Sequence, residues 1–233
     1  MCYTWLKQAL KLKLKEMPYR VQTDLEENVN AITHGLGIIL SVIAIPFLIV
    51  KSTRRQDFVM VWGVSIFSFG MLAVYLSSTI YHSLRKPRLK RLANIIDHIS
   101  IFFLIGGTYT PVILHYVPLE TATVFLTVQW SIILGGIVLK LFFTGKYEWI
   151  SVTLYIMLGW MLVFVIKPLI LTMPSTIFFW IIAGGICYTF GVVFYVLENK
   201  KHAHNIWHCF VLAGTILHFI AVYKSLDVSV IFR

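Results

Sequence analysis

The residues best suited to chemistry are two histidines four positions apart, His204 and His208. On an α-helix such residues lie on one face, so both imidazoles can reach the same metal ion. His82 closes another apolar stretch and is the best candidate for a third nitrogen ligand. Three neutral imidazoles leave zinc an open fourth position for water, which is typical of catalytic rather than structural sites.

Two further polar residues are expected beside these histidines. Ser78 precedes His82 by about one helical turn, so its hydroxyl points to the same region. Asp97 follows after a short loop and is the only acid predicted near this depth in the apolar stretches. Together they favour a metal site next to a proton acceptor. The alternative is a set of helix caps and interfacial histidines that contact lipid headgroups.

Composition decides the environment of these residues. Of the 233 residues, 58% are apolar and only 13% are charged, and the mean hydropathy is +0.82. A soluble domain carries about a quarter charged residues, so most of this surface must face lipid. Three widely spaced cysteines predict neither a disulfide framework nor a cysteine metal cluster.

Seven stretches are long and apolar enough to span a bilayer, which takes about 20 residues. Because lipid cannot satisfy open strands, a seven-helix transmembrane bundle, all-α, is the predicted fold. Residues 31–233 are predicted to form this single domain, preceded by a basic cytoplasmic segment at residues 1–30. The predicted spans are Ile32–Val50, Phe58–Tyr81, Leu92–Leu114, Thr121–Phe143, Trp149–Ile166, Ser175–Leu197 and Asn205–Tyr223.

The basic residues predict the orientation. The formal net charge is +10, and 14 of the 20 Lys and Arg fall on the N-terminal side of the spans. The positive-inside rule places the N-terminus in the cytoplasm and the C-terminus outside. Trp5–Met17 alternates leucine and lysine stripes and is predicted to lie on anionic inner-leaflet headgroups. The excess charge then requires no nucleic acid partner.

This orientation places the polar residues of four spans in one inner layer. His218 lies deeper in the last span, where hydrogen bonding between helices is expected, whereas His115 is expected in a wet loop. Two glycine pairs seven residues apart, Gly63 with Gly70 and Gly184 with Gly191, predict close helix packing.

Four motifs follow one another along the chain: Glu26–Gly35 (EENVNAITHG), Ser78–His82 (STIYH), Asp97-His98 and His204–His208 (HNIWH). In this order they resemble the hemolysin III proteins, the bacterial branch of the progestin and adipoQ receptor (PAQR) family. The resemblance implies a plasma-membrane protein of seven helices with a cytoplasmic N-terminus and a zinc ion on the inner side.

Carried over to these positions, the family pattern implies that His82, His204 and His208 are zinc ligands. Asp97 and Ser78 match the acid and the serine beside the metal-bound water. His34 belongs to the pattern but is not implied as a ligand, and we assign it to hydrogen bonding near the site.

Three functions compete at this stage. The first is a zinc-dependent hydrolase of a membrane lipid amide or ester that serves membrane lipid homeostasis. It is suggested by the wider superfamily, which includes alkaline ceramidases. The second is a non-enzymatic sensor whose helices are tied together by zinc. The third is a pore-forming cytolysin, which would need a wet lining through the full depth of the membrane.

Overall fold

The computed structural model describes residues 20–144 and 147–229, whose regular structure is entirely helical. Consecutive helices are joined by short connections, and the first helix also packs against the last, which closes the bundle. In chain order the helices are α1 (Asp24–Arg54), α2 (Phe58–Ser83), α3 (Pro87–Tyr116), α4 (Leu119–Phe143), α5 (Glu148–Gly159), a 3-10 segment (Met161–Val165), α6 (Ile166–Thr172), α7 (Ser175–Val196) and α8 (Ala203–Ser225).

Seven helical units in these ranges are long and apolar enough to cross a membrane, which confirms the predicted fold class. The fifth unit consists of α5, the 3-10 segment and α6. The central helix is α3, because 72% of its most apolar stretch is buried, against 22–50% for the others. The direction in which the bundle crosses the membrane stays a prediction. The amphipathic segment Trp5–Met17 lies outside the described residues.

Helices α1 and α3 begin several residues before the apolar stretches from which they were predicted, because residues at their N-termini determine where they start. Thr23 precedes α1, and its hydroxyl accepts the N–H of Glu26 while its own N–H donates to the Glu26 carboxylate at 2.9 Å. This reciprocal capping box fixes the start of the helix. Pro87 opens α3, where its fixed φ suits the first helical turn.

The polar residues of helix α1 face the interior of the bundle, whereas those of a helix in a soluble protein face the solvent. Asn30, His34 and Ser41 are buried, whereas Ile32 and Ile43 are exposed to the surroundings of the bundle. Lipid is as apolar as these isoleucines, so burial of polar groups and small residues decides which face packs. The polar start of α1 is thereby directed at the bundle interior.

The fifth span is broken near its middle rather than simply short. Helix α5 ends at Gly159. The Gly159 carbonyl oxygen accepts a hydrogen bond from the Tyr109 hydroxyl at 2.7 Å. The same hydroxyl accepts the N–H of Leu162 at 3.0 Å. Pro168 also removes one helical donor beyond the break. Tyr109 of α3 thus satisfies the backbone groups that the break frees.

The two glycine pairs lie at close helix contacts, as predicted. At Gly63 an added Cβ would lie 3.0 Å from the Pro111 Cα, and at Gly191 it would lie 2.8 Å from the Trp207 ring. At Gly70 it would lie 2.5 Å from the carbonyl oxygen of Phe103. That contact is with backbone, which cannot rotate away, so α2 and α3 touch where only glycine fits.

We expect Gly70→Ala to lower the free energy of unfolding by about 1–3 kcal/mol, because the added methyl group must push α2 and α3 apart. Chemical denaturation in detergent micelles, followed by circular dichroism, measures this change. Gly135→Ala is the matched control, since nothing lies within 4 Å of a Cβ at that position of α4. Equal stability of the two variants would contradict the close contact.

Candidate metal centre

Three histidine side chains from two helices converge in a buried cluster. His82 lies in the last turn of α2, and His204 and His208 lie in the first two turns of α8. One ring nitrogen from each residue lies within 4.8 Å of the other two. The structure thus brings together the three histidines that the sequence singled out.

Four of the six ring nitrogens of this cluster have no hydrogen-bond partner among the described residues. His82 Nε2, both ring nitrogens of His204, and His208 Nδ1 are buried without a hydrogen bond in the described part of the chain. A buried polar atom that loses water without a replacement is costly. Neutral nitrogen donors at this spacing fit a divalent transition metal ion. These three residues could therefore hold such an ion.

A carboxylate of α1 orients the first of these histidines. Glu27 Oε2 lies 2.8 Å from His82 Nδ1 and also accepts a hydrogen bond from Lys90 Nζ at 2.8 Å. Since an ionised carboxylate only accepts, Nδ1 carries the ring hydrogen and the lone pair is on Nε2. Such a carboxylate behind a histidine is the usual support of a metal ligand. Sequence reasoning noted Glu27 as polar but missed this pairing.

Hydrogen bonds between α1 and α8 hold the His204–His208 face in place. Asn205 Nδ2 donates to the Glu26 carbonyl at 2.8 Å and to Asn30 Oδ1 at 2.5 Å. The N–H of His202, a residue with a left-handed φ of 63°, donates to Glu26 Oε1 at 2.8 Å. The spacing of Asn205 within the HNIWH motif was a signal for this role.

His34 takes part by stacking rather than by the hydrogen bonding that we expected. Its ring lies 3.7 Å from that of His208, with an interplanar angle of 15°. Neither of its ring nitrogens has a hydrogen-bond partner among the described residues. The ring also contacts the edge of Tyr75, whose own ring fills the space that Gly37 leaves open. His34 therefore packs against the cluster, and it also lines the cavity described next.

A cavity opens beside the histidines and contains about 980 Å³ of empty space, including the part open to the outside. Ser78 and Asp97 line it together with His204 and His208, and the Ser78 hydroxyl is buried without a hydrogen-bond partner. Farther from the histidines the walls are mostly apolar. Lining residues there include Ile101, Leu104, Ile105, Ile156, Val192 and Val211.

A second buried polar cluster lies at the same end of the bundle. Lys140 of α4 is only 1% exposed and pairs with Glu148 at 2.5 Å. Its ammonium group also lies 3.2 Å from His98 Nδ1. Because an ammonium only donates, this contact leaves the hydrogen of His98 on Nε2, the nitrogen that lies 3.5 Å from the Tyr195 hydroxyl. Sequence reasoning had counted Lys140 only as a basic residue on the N-terminal side, near the end of the predicted span Thr121–Phe143.

The two remaining histidines, His218 and His115, differ in how they compare with the sequence-based expectations. His218 Nε2 lies 3.0 Å from the carbonyl oxygen of Ile181, which confirms the expected hydrogen bond between helices. The expectation for His115 was wrong, because it lies in the last turn of α3 and is 1% exposed. Its neighbour Tyr116 is equally buried, so α3 continues inside the bundle for two residues beyond Leu114, where the predicted span ended.

Comparison with known proteins identifies the family of this chain. A family model described as haemolysin-III related matches residues 23–219. The chain belongs to the haemolysin-III-related family. Its members are multi-pass membrane proteins, in agreement with the seven apolar helices described above.

Individual relatives extend the comparison. The chain is 39% identical over 197 residues to the hemolysin-3 homolog of Bacillus subtilis, which covers 84% of this chain and 92% of the relative. It is 37% identical over 197 residues to hemolysin-3 of Bacillus cereus, with 84% and 90% covered. The human monocyte to macrophage differentiation factor is 26% identical over 208 residues, with 86% and 84% covered. The resemblance to a wider family therefore reaches animal proteins.

Replacing both α8 ligands, His204→Ala with His208→Ala, should reduce the bound metal of the purified protein to background. Elemental analysis by mass spectrometry measures the metal per chain, expected to be about one in the unaltered protein. His115→Ala is the control, since it removes a buried histidine outside the cluster. Metal retained by the double variant would place the ion elsewhere.

Glu27→Gln should weaken metal binding by about 10–100-fold, because the amide can present the wrong group to His82 Nδ1. Competition against a chromophoric chelator, with zinc as the probe, gives the affinity. Glu120→Gln, at an exposed position in the first turn of α4, is the matched control. An affinity equal to that of the control would show that Glu27 does not support the site.

Proposed function

We propose that this protein is a zinc-dependent hydrolase that cleaves an amide or ester bond of a membrane lipid. The observation that carries the proposal is that one cavity is lined by His204 and His208, which have unpartnered ring nitrogens, by Ser78 and Asp97, and otherwise by mostly apolar residues. When bound, zinc supplies a Lewis acid and makes a water molecule easier to ionise near pH 7. His82, His204 and His208 would hold it.

Asp97 and Ser78 supply the protein part of the chemistry. The Asp97 carboxylate accepts a proton from the attacking water, whose oxygen forms a bond to the lipid carbonyl carbon. Ser78 Oγ donates a hydrogen bond to the carbonyl oxygen as negative charge develops there. The bond from carbon to the leaving nitrogen or oxygen then breaks. Asp97 returns the proton to that atom, which gives a carboxylic acid and an amine or alcohol.

The cavity supports a lipid as the substrate class. Its apolar walls suit an acyl chain, while the headgroup remains at the polar end near Asp97 and His98. A water-filled pore has less support, since most of the lining away from the histidines consists of aliphatic and aromatic side chains. The relatives named hemolysin-3 therefore do not lead us to propose pore formation here.

The positive-inside rule supports a site on the cytoplasmic side. Basic residues cluster in the α2–α3 connection and the start of α3: Arg85, Lys86, Arg88, Lys90 and Arg91. We place this basic cluster, with the N-terminal basic segment, against anionic inner-leaflet headgroups. A substrate would then enter the cavity from the inner leaflet and serve lipid homeostasis.

The extensive structural bonding around the cluster favours a second function, a lipid sensor stabilised by zinc. Glu26 and Glu27 bind partners on α2, α3 and the α7–α8 connection, so a metal ion at His82 would link these helices further. A bound lipid would shift this linked unit without being cleaved. The hydrolase requires the Asp97 carboxylate as a proton acceptor, whereas the sensor does not.

Asp97→Asn should abolish lipid turnover while leaving the zinc content and the thermal unfolding temperature close to those of the unaltered protein. Loss of a general base typically costs about 10²–10⁴-fold in rate. Release of fatty acid from ceramides, acyl amides and phospholipids in mixed micelles provides the assay.

Ser78→Ala should lower turnover in the same assay, because it removes the donor to the carbonyl oxygen. Ser65→Ala is its control, because Ser65 lies on the same helix and donates to Val61 O away from the cavity. Zinc-loaded protein that turns over none of these lipids, together with an Asp97→Asn variant that is fully functional in cells, would favour the sensor.

A further inference from the structure

A further polar region lies inside the bundle, distant from the metal centre, where two cavities meet. His218 follows His208 by ten residues on α8, which corresponds to about 15 Å along the helix. There the cavity beside the histidines meets a smaller one of about 390 Å³ that extends away from them. Five residues line both cavities and define the waist: Thr108, Tyr109, Gly159, Gly185 and His218.

His218 presents an unused acceptor at this waist. Its Nε2 lies 3.0 Å from the Ile181 carbonyl oxygen, which only accepts, so Nε2 carries the hydrogen and Nδ1 carries the lone pair. Nδ1 is buried and has no hydrogen-bond partner among the described residues. A Cβ at Gly184 would lie 2.2 Å from His218 Cδ2, so that edge of the ring faces α7. The Nδ1 edge is therefore turned away from α7.

The other hydroxyls of the waist have their hydrogens engaged. Thr108 Oγ1 donates to the Leu104 carbonyl at 2.9 Å, and the Tyr109 hydroxyl donates to the Gly159 carbonyl. The waist consequently offers acceptors, at His218 Nδ1 and Thr108 Oγ1, but no side-chain donor to a ligand. A group that donates a hydrogen bond is satisfied there, whereas a carbonyl group is not.

We propose that His218 Nδ1 binds a hydroxyl group carried in the middle of the acyl chain that occupies the cavity. This inference rests on the proposed function for the identity of the occupant, and it adds a preference for hydroxylated chains. With the headgroup at the metal centre, about 15 Å corresponds to roughly twelve extended chain carbons. The preferred hydroxyl therefore lies near carbon 12, and Gly184 provides the space for the ring that binds it.

Competition for tritiated stearate on the purified, zinc-loaded protein in detergent tests this preference. We expect 12-hydroxystearate to displace the label about three- to tenfold better than unlabelled stearate, because one additional buried hydrogen bond increases the affinity by about that factor. The 12-keto acid and a chain hydroxylated at carbon 6 should show no such advantage. His218→Phe, which keeps a planar ring, should remove the advantage without changing the zinc content.

Tyr188→Phe is the matched control, because its hydroxyl lies in the same cavity but already pairs with Thr215 at 2.7 Å. It should keep the preference. Equal displacement by stearate and 12-hydroxystearate, or a preference that persists in a folded His218→Phe variant, would overturn the role of His218.

If His218→Phe does not fold, the series of hydroxyl positions and the 12-keto acid on the unaltered protein decide the question. Failure of stearate itself to bind with displaceable affinity would instead overturn the proposed lipid occupant, and the hydroxyl preference with it.

Discussion

The hydrogen bond between Glu27 and His82 is the interaction on which the arrangement of the site depends. A carboxylate inside an apolar bundle needs donors close by, and Glu27 Oε2 finds them in His82 Nδ1 of α2 and Lys90 Nζ of α3. One oxygen atom thereby joins three helices. The same bond fixes the histidine tautomer, so that the lone pair on Nε2 is available beside His204 and His208. These three histidines thus form the candidate metal centre.

The lipid environment explains why these polar contacts collect at one end of the bundle. Along α1 the polar residues face inward and the isoleucines face outward, because hydrocarbon cannot satisfy an amide or a carboxylate. Asn30 and Asn205 bond across the α1–α8 contact, and the backbone N–H of His202 closes the network on Glu26. Away from this end the helices pack through glycines and the cavity is largely apolar. A polar end and an apolar chamber are what a lipid with a headgroup requires.

Local sequence properties predict the spans and the meeting of the three histidines. Hydropathy locates each span, and the spacing of His204 and His208 places both on one helix face. Glu27 could not be paired with His82 in the same way, because their contact depends on how α1 is rotated against α2. The break after Gly159 likewise depends on the Tyr109 hydroxyl of another helix. His115 was misplaced because the end of the predicted span at Leu114 says nothing about whether the residues that follow are buried.

X-ray absorption spectroscopy at the zinc edge of the purified protein tests the three-histidine centre most directly. We predict a first shell of three imidazole nitrogens at about 2.0–2.1 Å and one further light atom that is not histidine. That shell should lose two imidazoles when His204 and His208 are replaced together. A shell containing sulfur, a fourth imidazole from His34, or protein that binds no zinc when zinc is supplied would contradict a centre built from His82, His204 and His208.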